Sequence, residues 1–303
     1  MSSSKEGRER AKEVRANELG VIPVLMYHRV FPGASGEYDL TPSAFRNELK
    51  RLWREDYVPV RTVDLVDGEM DVPAGKTPVV LTFDDSSVEQ FGYKRKDKVD
   101  PDTAIGILLE FAESHQGFAP VASIYLNGRP FNASDYPKML RDLHRRGFEL
   151  GNHTLEHRDL ASLSPAEVKR QLALGRKVIT DVVKEADVAT LSLPLGIAPK
   201  PARLAHSGRW RGIEYSHRGI LLVGWKPAPS PFDRSFDPFG IPRIRSGPQR
   251  GGAPAYTSEY WLDHLKKNPR ERYISDGDPA TIAFPKELKS RLAREYLDRA
   301  LRY

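Results

Sequence analysis

From residue 21 to residue 225 the chain alternates short apolar runs with longer amphipathic stretches, a pattern that few architectures accommodate. "VIPVLMY" (21–27), "YVPVRTV" (57–63), "VVLTF" (79–83), "APVASIYLN" (119–127), "FELGN" (148–152), residues 189–193 and "GILLVGW" (219–225) have the length and the β-branched or aromatic content of buried strands. Between them apolar residues recur at helical spacing. Thr41 before Pro42, followed by Phe45, Leu49 and Leu52, predicts a capped helix. Residues 101–113 and "YPKMLRDLHRRG", stopped by Gly147, predict two more. Ser164 and Glu167 form a capping box around Pro165 and open a long helix toward Ala186. Strands alternating with helices predict an α/β fold with a parallel sheet, open or closed into a barrel. The Pro-, Gly- and Ser-rich stretch 226–256 reads as ordered surface loops, and no internal repeat is present.

A chain of 303 residues with 39% hydrophobic content can bury one large core, and residues 20–303 read as a single domain. Residues 1–19 read as a basic leader or a solvated helix. They lack the apolar centre of a signal peptide. Lys and Arg number 47 against 41 acidic residues, leaving +6. That charge suits an anionic surface, but zinc-finger spacing, a basic region leading into heptads and an RNP-like strand are all missing, so no nucleic-acid partner is expected. With no cysteine there is no disulfide, thiolate ligand or cysteine nucleophile. No run approaches the roughly 20 apolar residues of a membrane span. The oligomeric state is not specified by any of these patterns.

The chemistry concentrates in two stretches. "TFDD" places Asp84 and Asp85 at the end of a buried strand, where two carboxylates are costly unless a cation or hydrogen bonds compensate them. A loop cap is the plain alternative. Strand alternation sends neighbouring side chains to opposite faces, so both reach one site only if the backbone bends there. In "GNHTLEHRDL", His153 and His157 can present two imidazoles to one ion if the segment coils after its strand. The same residues match H-x-x-E-H, in which Glu156 would be the general base of a zinc protease. That rival needs a helix through all five residues, whereas the capped helix begins only near Ser164; Glu156 therefore reads as a supporting or surface residue. "PAGKT" (73–77) has Met70 where a phosphate loop needs glycine, and "SDGDP" (275–279) lacks the rest of a calcium loop; both read as turns.

"TFDD" followed by "HTLEH" resembles the polysaccharide deacetylases of the NodB-homology type, carbohydrate esterase family 4, and the likeness runs in order from "PVLMYHRV" to "LPLG" (193–196). The resemblance implies a distorted (β/α) barrel of about seven strands. It implies Asp84 as general base and Asp85, His153 and His157 as ligands of a divalent metal, zinc first, with cobalt or nickel as alternatives. It implies a polysaccharide substrate: poly-N-acetylglucosamine, peptidoglycan, chitin or acetylated xylan. It also implies an extracytoplasmic or cell-surface location, although the lack of a signal peptide leaves the cytoplasm open. The family's third motif, R-x-P-Y, is here "LSLPLG", without its arginine and with Leu195 after Pro194 in place of the aromatic. The late Leu-x-His motif is absent near the C-terminus. A circularly permuted branch acting on poly-N-acetylglucosamine carries that motif at the N-terminus as Leu-x-Tyr-His, and Leu25-Met26-Tyr27-His28 has this form. On that resemblance His28 is the catalytic acid, and Arg243 of "IPRIR" stands in for the missing arginine; Pro194, Leu195 and Arg243 are candidate substrate-binding or orienting residues. The alternative is a catalytically silent carbohydrate-binding protein on the same scaffold. Trp210, Trp225 and Trp261 read as core residues rather than sugar-stacking platforms.

Overall fold

The computed structural model describes residues 2–95, 98–248 and 257–303. Helix α1 (Ser2–Val14) leads to strand β1 (Val24–Tyr27), after which β2 (Arg29–Val30) and β3 (Asp39–Leu40) pair with each other. Helix α2 (Pro42–Arg54), strand β4 (Tyr57–Val60), helix α3 (Thr62–Asp67) and strand β5 (Thr77–Phe83) follow. Then come α4 (Ala104–Ser114), β6 (Ser123–Leu126), α5 (Tyr136–Arg145), β7 (Glu149–Asn152), α6 (Pro165–Thr180) and β8 (Thr190–Ser192). An antiparallel hairpin of β9 (Ser207–Trp210) and β10 (Ile213–Ser216) precedes β11 (Gly219–Leu221) and β12 (Ile244–Arg245). Helix α7 (Ser258–Lys267) and a parallel pair, β13 (Ile282–Phe284) and β14 (Ala300–Arg302), complete the chain.

The main sheet is parallel throughout, in the order β11-β8-β7-β6-β5-β1-β12, with β4 added on β5. The length of β5 makes this possible. Its first half pairs with β4 (Tyr57↔Thr77 to Val60↔Val80), its last two residues pair with β6, and β1 runs along its other edge. The sheet curls until its two ends meet. Ile241 bridges Leu221 of β11, and three residues later Ile244 pairs with Leu25 of β1, so the segment 241–245 joins the first and last strands. The alternation predicts the parallel α/β sheet, and its curled half-barrel form agrees with the distorted barrel that the resemblance implies.

Side-chain parity sets the two surfaces of the sheet. Leu25, Tyr27, Leu81 and Phe83 face outward and share one cluster with Phe45, Leu49 and Leu52 of α2 and Leu108 of α4. Val24, Val80, Tyr125 and Ile241 belong to a second, interior cluster. Truncating a wholly buried residue such as Leu49 to alanine should cost about 2–5 kcal/mol. Thr41 Oγ1 accepts the Ala44 amide at 3.1 Å, giving α2 its predicted cap. Helix α1 is not fully solvated: Ala11 is buried with Ala283 and Leu301.

Several expectations need correction. Val63 lies in α3 rather than in a strand that continues from β4. The strand from 219 stops at Leu221, and the long helix stops at Thr180 rather than near Ala186. Ser164 does cap Glu167, at 3.3 Å, but the Glu167 carboxylate is taken by Arg170 and Gln171, so the box is half formed. The stretch 226–256 is not loop alone, since it carries β12; its last eight residues, 249–256, lie outside the described residues.

Candidate active site

Thr82 and Asp84 share the parity of Val80, so ordinary alternation carries the Asp84 side chain into the barrel. The same alternation would turn Asp85 away. Instead Asp85 takes φ 74° and Ser86 φ 44°, left-handed values uncommon outside glycine, and this turn brings both carboxylates to one site. Neighbouring loops hold the turn. Asn127 Nδ2 donates to the Asp85 carbonyl at 2.8 Å, and the Phe131 amide donates to that of Ser86 at 2.6 Å.

His153 follows β7 directly, and its amide donates to Leu126 at 2.9 Å. The chain then coils: Thr154 and His157 have φ of 67° and 50°, and the His157 amide donates to Thr154 Oγ1 at 3.1 Å. No helix holds H-x-x-E-H, and Glu156 faces Arg170 and Gln171 at 3.1 and 2.8 Å; the protease geometry is ruled out.

The coil places His153 Nε2 3.2 Å and His157 Nε2 3.3 Å from Asp85 Oδ1, with the rings 4.8 Å apart. One donor atom from each of the three lies within 4.8 Å of the others. His153 Nδ1 lies 2.8 Å from the Ser192 carbonyl, so it carries the hydrogen and leaves the Nε2 lone pair directed at the shared point. A carboxylate oxygen and two imidazole nitrogens so oriented fit a divalent cation. Burial depresses His157, with the charge of His153 adding to it. Burial would also depress His153, but Asp84 and Asp85 outweigh it and raise the imidazole above its usual range.

Asp84 is buried and ionised. Burial alone would raise its carboxyl, yet the Arg243 guanidinium, with His153 beside it, holds it far below the ordinary carboxylate range. Arg243 is 0% exposed and grips the carboxylate through both ends, Nη1 to Oδ1 at 2.8 Å and Nη2 to Oδ2 at 2.7 Å. Its Nε donates to Leu222 at 2.8 Å and its Nη1 to Thr82 Oγ1 at 3.2 Å, which fixes the fork. Ser192 Oγ donates to Asp84 Oδ2 at 2.9 Å.

His28 stands one residue past β1, and the Tyr27 carbonyl preceding it accepts the Asp84 amide at 3.0 Å. Its ring centroid lies 4.9 Å from that of Tyr38, and Nδ1 is buried with no hydrogen-bond partner among the described residues. Burial lowers its imidazole, opposed by the charges of Asp84 and Asp85. Pro194 is buried in the turn after β8, whereas Leu195, with φ 59°, is 59% exposed. Trp225 is 58% exposed, contrary to the core expectation, because β11 has already ended; Trp210 and Trp261 are half-buried.

Sequence reasoning missed Ser192, Asn127 and Gln90. For Ser192 a signal existed. With Pro194 and Leu195 in the last two places of R-x-P-Y, Ser192 occupies the place of the arginine, and its hydroxyl bonds the carboxylate that Arg243 holds.

The Polysaccharide deacetylase family model matches residues 71–207, the stretch that holds Asp84, Asp85, His153 and His157. The match covers a little under half of the chain. It is 34% identical over 65 residues to a chitooligosaccharide deacetylase of Sinorhizobium fredii, covering 22% of this chain and 30% of the relative. Over 142 residues it is 25% identical to a peptidoglycan-N-acetylglucosamine deacetylase of Bacillus cereus, covering 47% and 45%. These matches thus span less than half of either relative. Among solved structures, the Streptococcus pyogenes deacetylase PplD in complex with acetate superposes with a TM-score of 0.56 at 18% identity, covering 74% of this chain and 92% of that one. IcaB from Ammonifex degensii superposes with a TM-score of 0.52 at 16% identity, covering 76% and 93%. Both show the deacetylase fold. His28 and Arg243 lie outside the family match, one residue past β1 and one residue before β12, the two strands that complete the curl.

Proposed function

We propose that the protein is a metal-dependent hydrolase that removes N-acetyl groups from a polysaccharide built on N-acetylglucosamine. The observation that carries this reading is the convergence of Asp85, His153 and His157 beside a buried, ionised Asp84. The names of the two relatives, a chitooligosaccharide deacetylase and a peptidoglycan-N-acetylglucosamine deacetylase, favour that substrate class. Bound between Asp85, His153 and His157, a divalent cation, zinc first with cobalt or nickel as alternatives, would polarise the acetyl carbonyl and bring the pKa of water down toward about 7.

Asp84 supplies the base. Arg243 and Ser192 occupy three of the roughly four acceptor positions of its carboxylate and leave one on Oδ1 for the proton of the attacking water. Arg243 thereby does from the residue before β12 what the motif arginine would do from β8. His28 supplies the acid through Nε2, since Nδ1 is the buried nitrogen. Protonation of the departing amine at that atom is worth about 10²–10⁴-fold. An acid carried on the first strand fits the permuted branch, and a glycan substrate fits an extracytoplasmic or cell-surface location.

Acetate release from N-acetylglucosamine oligomers, with added zinc, cobalt or nickel and with chelator, tests the proposal. Metal-dependent release is expected. Glycan binding without release at saturating metal would overturn it in favour of a silent binding protein, and screening peptidoglycan and acetylated xylan beside the oligomers separates the substrates.

A further inference from the structure

The proposed base and acid each stand one residue past adjacent strands, and a buried amide joins them from behind. Gln90 is 0% exposed. Its Nε2 donates to the His28 carbonyl at 2.7 Å and also to the Asp84 carbonyl. The amide orientation follows from these partners, because a reversed side chain would set Oε1 against two carbonyl oxygens. Oε1 has no hydrogen-bond partner among the described residues, so the group is held in place by its nitrogen alone. The backbone that presents it is also fixed. The Gln90 amide donates to Ser87 at 3.1 Å, and its carbonyl accepts the Ile105 amide at 2.9 Å, at the start of α4. The peptide following Asp84 is the one that enters the left-handed turn at Asp85. The Asp85 carbonyl, however, has its own anchor in Asn127.

We infer that Gln90 is a positioning residue that sets the separation of His28 and Asp84 by clamping their two carbonyls, while His153 and His157 are held independently of it. The inference rests on the deacetylase reading for the roles of those two groups. The chemistry asks for such a clamp: base and acid act on one scissile bond in succession, and neither tolerates displacement by about 1 Å without a large loss of rate.

The test uses the full chain with zinc bound and two variants, Gln90→Met, which keeps the length without the donor, and Gln90→Glu, which keeps the shape but puts oxygen against both carbonyls. Expected for both is a fall in kcat of about 10–100-fold, with KM and the zinc dissociation constant each within about threefold of wild type. A kcat within twofold would overturn the inference. So would a loss of zinc affinity matching the loss of rate, or failure of both variants to fold, since either makes Gln90 a stabilising residue only. A second readout needs no turnover. With cobalt in the site, the paramagnetic shift of the His28 ring protons reports their distance from the metal; it is expected to change in both variants while the shifts of His153 and His157 stay put. An unchanged His28 shift overturns the clamp. A wild type that shows the expected cobalt shifts but releases no acetate overturns the deacetylase reading instead.

Discussion

The candidate metal side of the site, at the ends of β5 and β7, draws Asp85, His153 and His157 from two short stretches of chain, each turned by left-handed residues past a strand end. The proposed proton side is assembled differently: His28 follows the first strand of the sheet and Arg243 precedes the last. On the metal side, neighbours in sequence become neighbours in space through a local backbone turn. On the proton side, residues far apart in sequence meet only because the sheet curls until β11, the 241–245 segment and β1 adjoin. Local turns fix the first, and global closure fixes the second. The two sides should therefore fail separately.

The largest separation is expected between His153→Ala and His28→Ala. Loss of His153 should abolish both zinc binding and acetate release. Loss of His28 should lower kcat by about 10²–10⁴-fold while zinc titrates as in wild type. Calorimetric titration with zinc beside acetate assays measures both, and loss of zinc affinity in His28→Ala would erase the distinction between the two sides.

Arg243→Leu comes next. It strands a buried carboxylate, and breaking such a pair costs about 3–5 kcal/mol. Denaturant unfolding should show that loss, with acetate release gone as Asp84 becomes protonated. The double variant Ser192→Arg, Arg243→Ser returns a guanidinium to the third-motif position; partial recovery of stability over Arg243→Leu supports the substitution of one arginine for the other, and no recovery argues against it.

Ser192→Ala sharpens the contrast on a smaller scale. It removes the hydroxyl from Asp84 and keeps the carbonyl that orients His153. One hydrogen bond to a charged group is worth about 1.5–3 kcal/mol, so kcat should fall roughly tenfold or somewhat more with zinc affinity unchanged. A matching fall in zinc affinity would show that Ser192 serves both sides through its side chain.

An effect on stability alone concerns His217, which supports the candidate metal side: Asn152, just before His153, donates to its Nε2 at 3.1 Å, and Nδ1 lies 2.7 Å from the Ala205 carbonyl. Burial pushes this imidazole down to about 4, against about 6.5 in an unfolded chain. The folded state binds fewer protons between those values, so the contribution of His217 is full above about 6.5 and is lost as pH falls toward 4. It amounts to at most about 3 kcal/mol. Unfolding midpoints measured from pH 7 to 4 should fall, and His217→Gln should flatten that slope. An equal slope in the variant would remove His217 from the account.

The same contrast explains how much could be read beforehand. Each of the seven strand-like runs contains a strand of the main sheet, because buried parallel strands are written as continuous apolar runs. Asp84, Asp85, His153 and His157 were legible because their spacing is local. Strand β12 was not: its two residues, Ile244 and Arg245, follow Pro242 in a stretch rich in turn formers, and only pairing with Leu25 and Met26 makes them a strand. Helix α3 was hidden in the β-branched Thr62-Val63, whose helical state depends on the Arg61 amide donating to Asp64 at 2.9 Å. Ser192 carried a signal in its place in the third motif, but Gln90 looks like an ordinary polar residue until the fold shows which two carbonyls it meets.

Anomalous diffraction at the zinc edge, from crystals soaked with zinc and an N-acetylglucosamine oligomer, tests the convergence of the two sides most directly. The account predicts one peak about 2.0–2.3 Å from an Asp85 oxygen, His153 Nε2 and His157 Nε2, with the acetyl group on its open side within hydrogen-bond reach of Asp84 and His28. A peak held by other residues, or an acetyl group lying beyond the reach of Asp84 and His28, would contradict it.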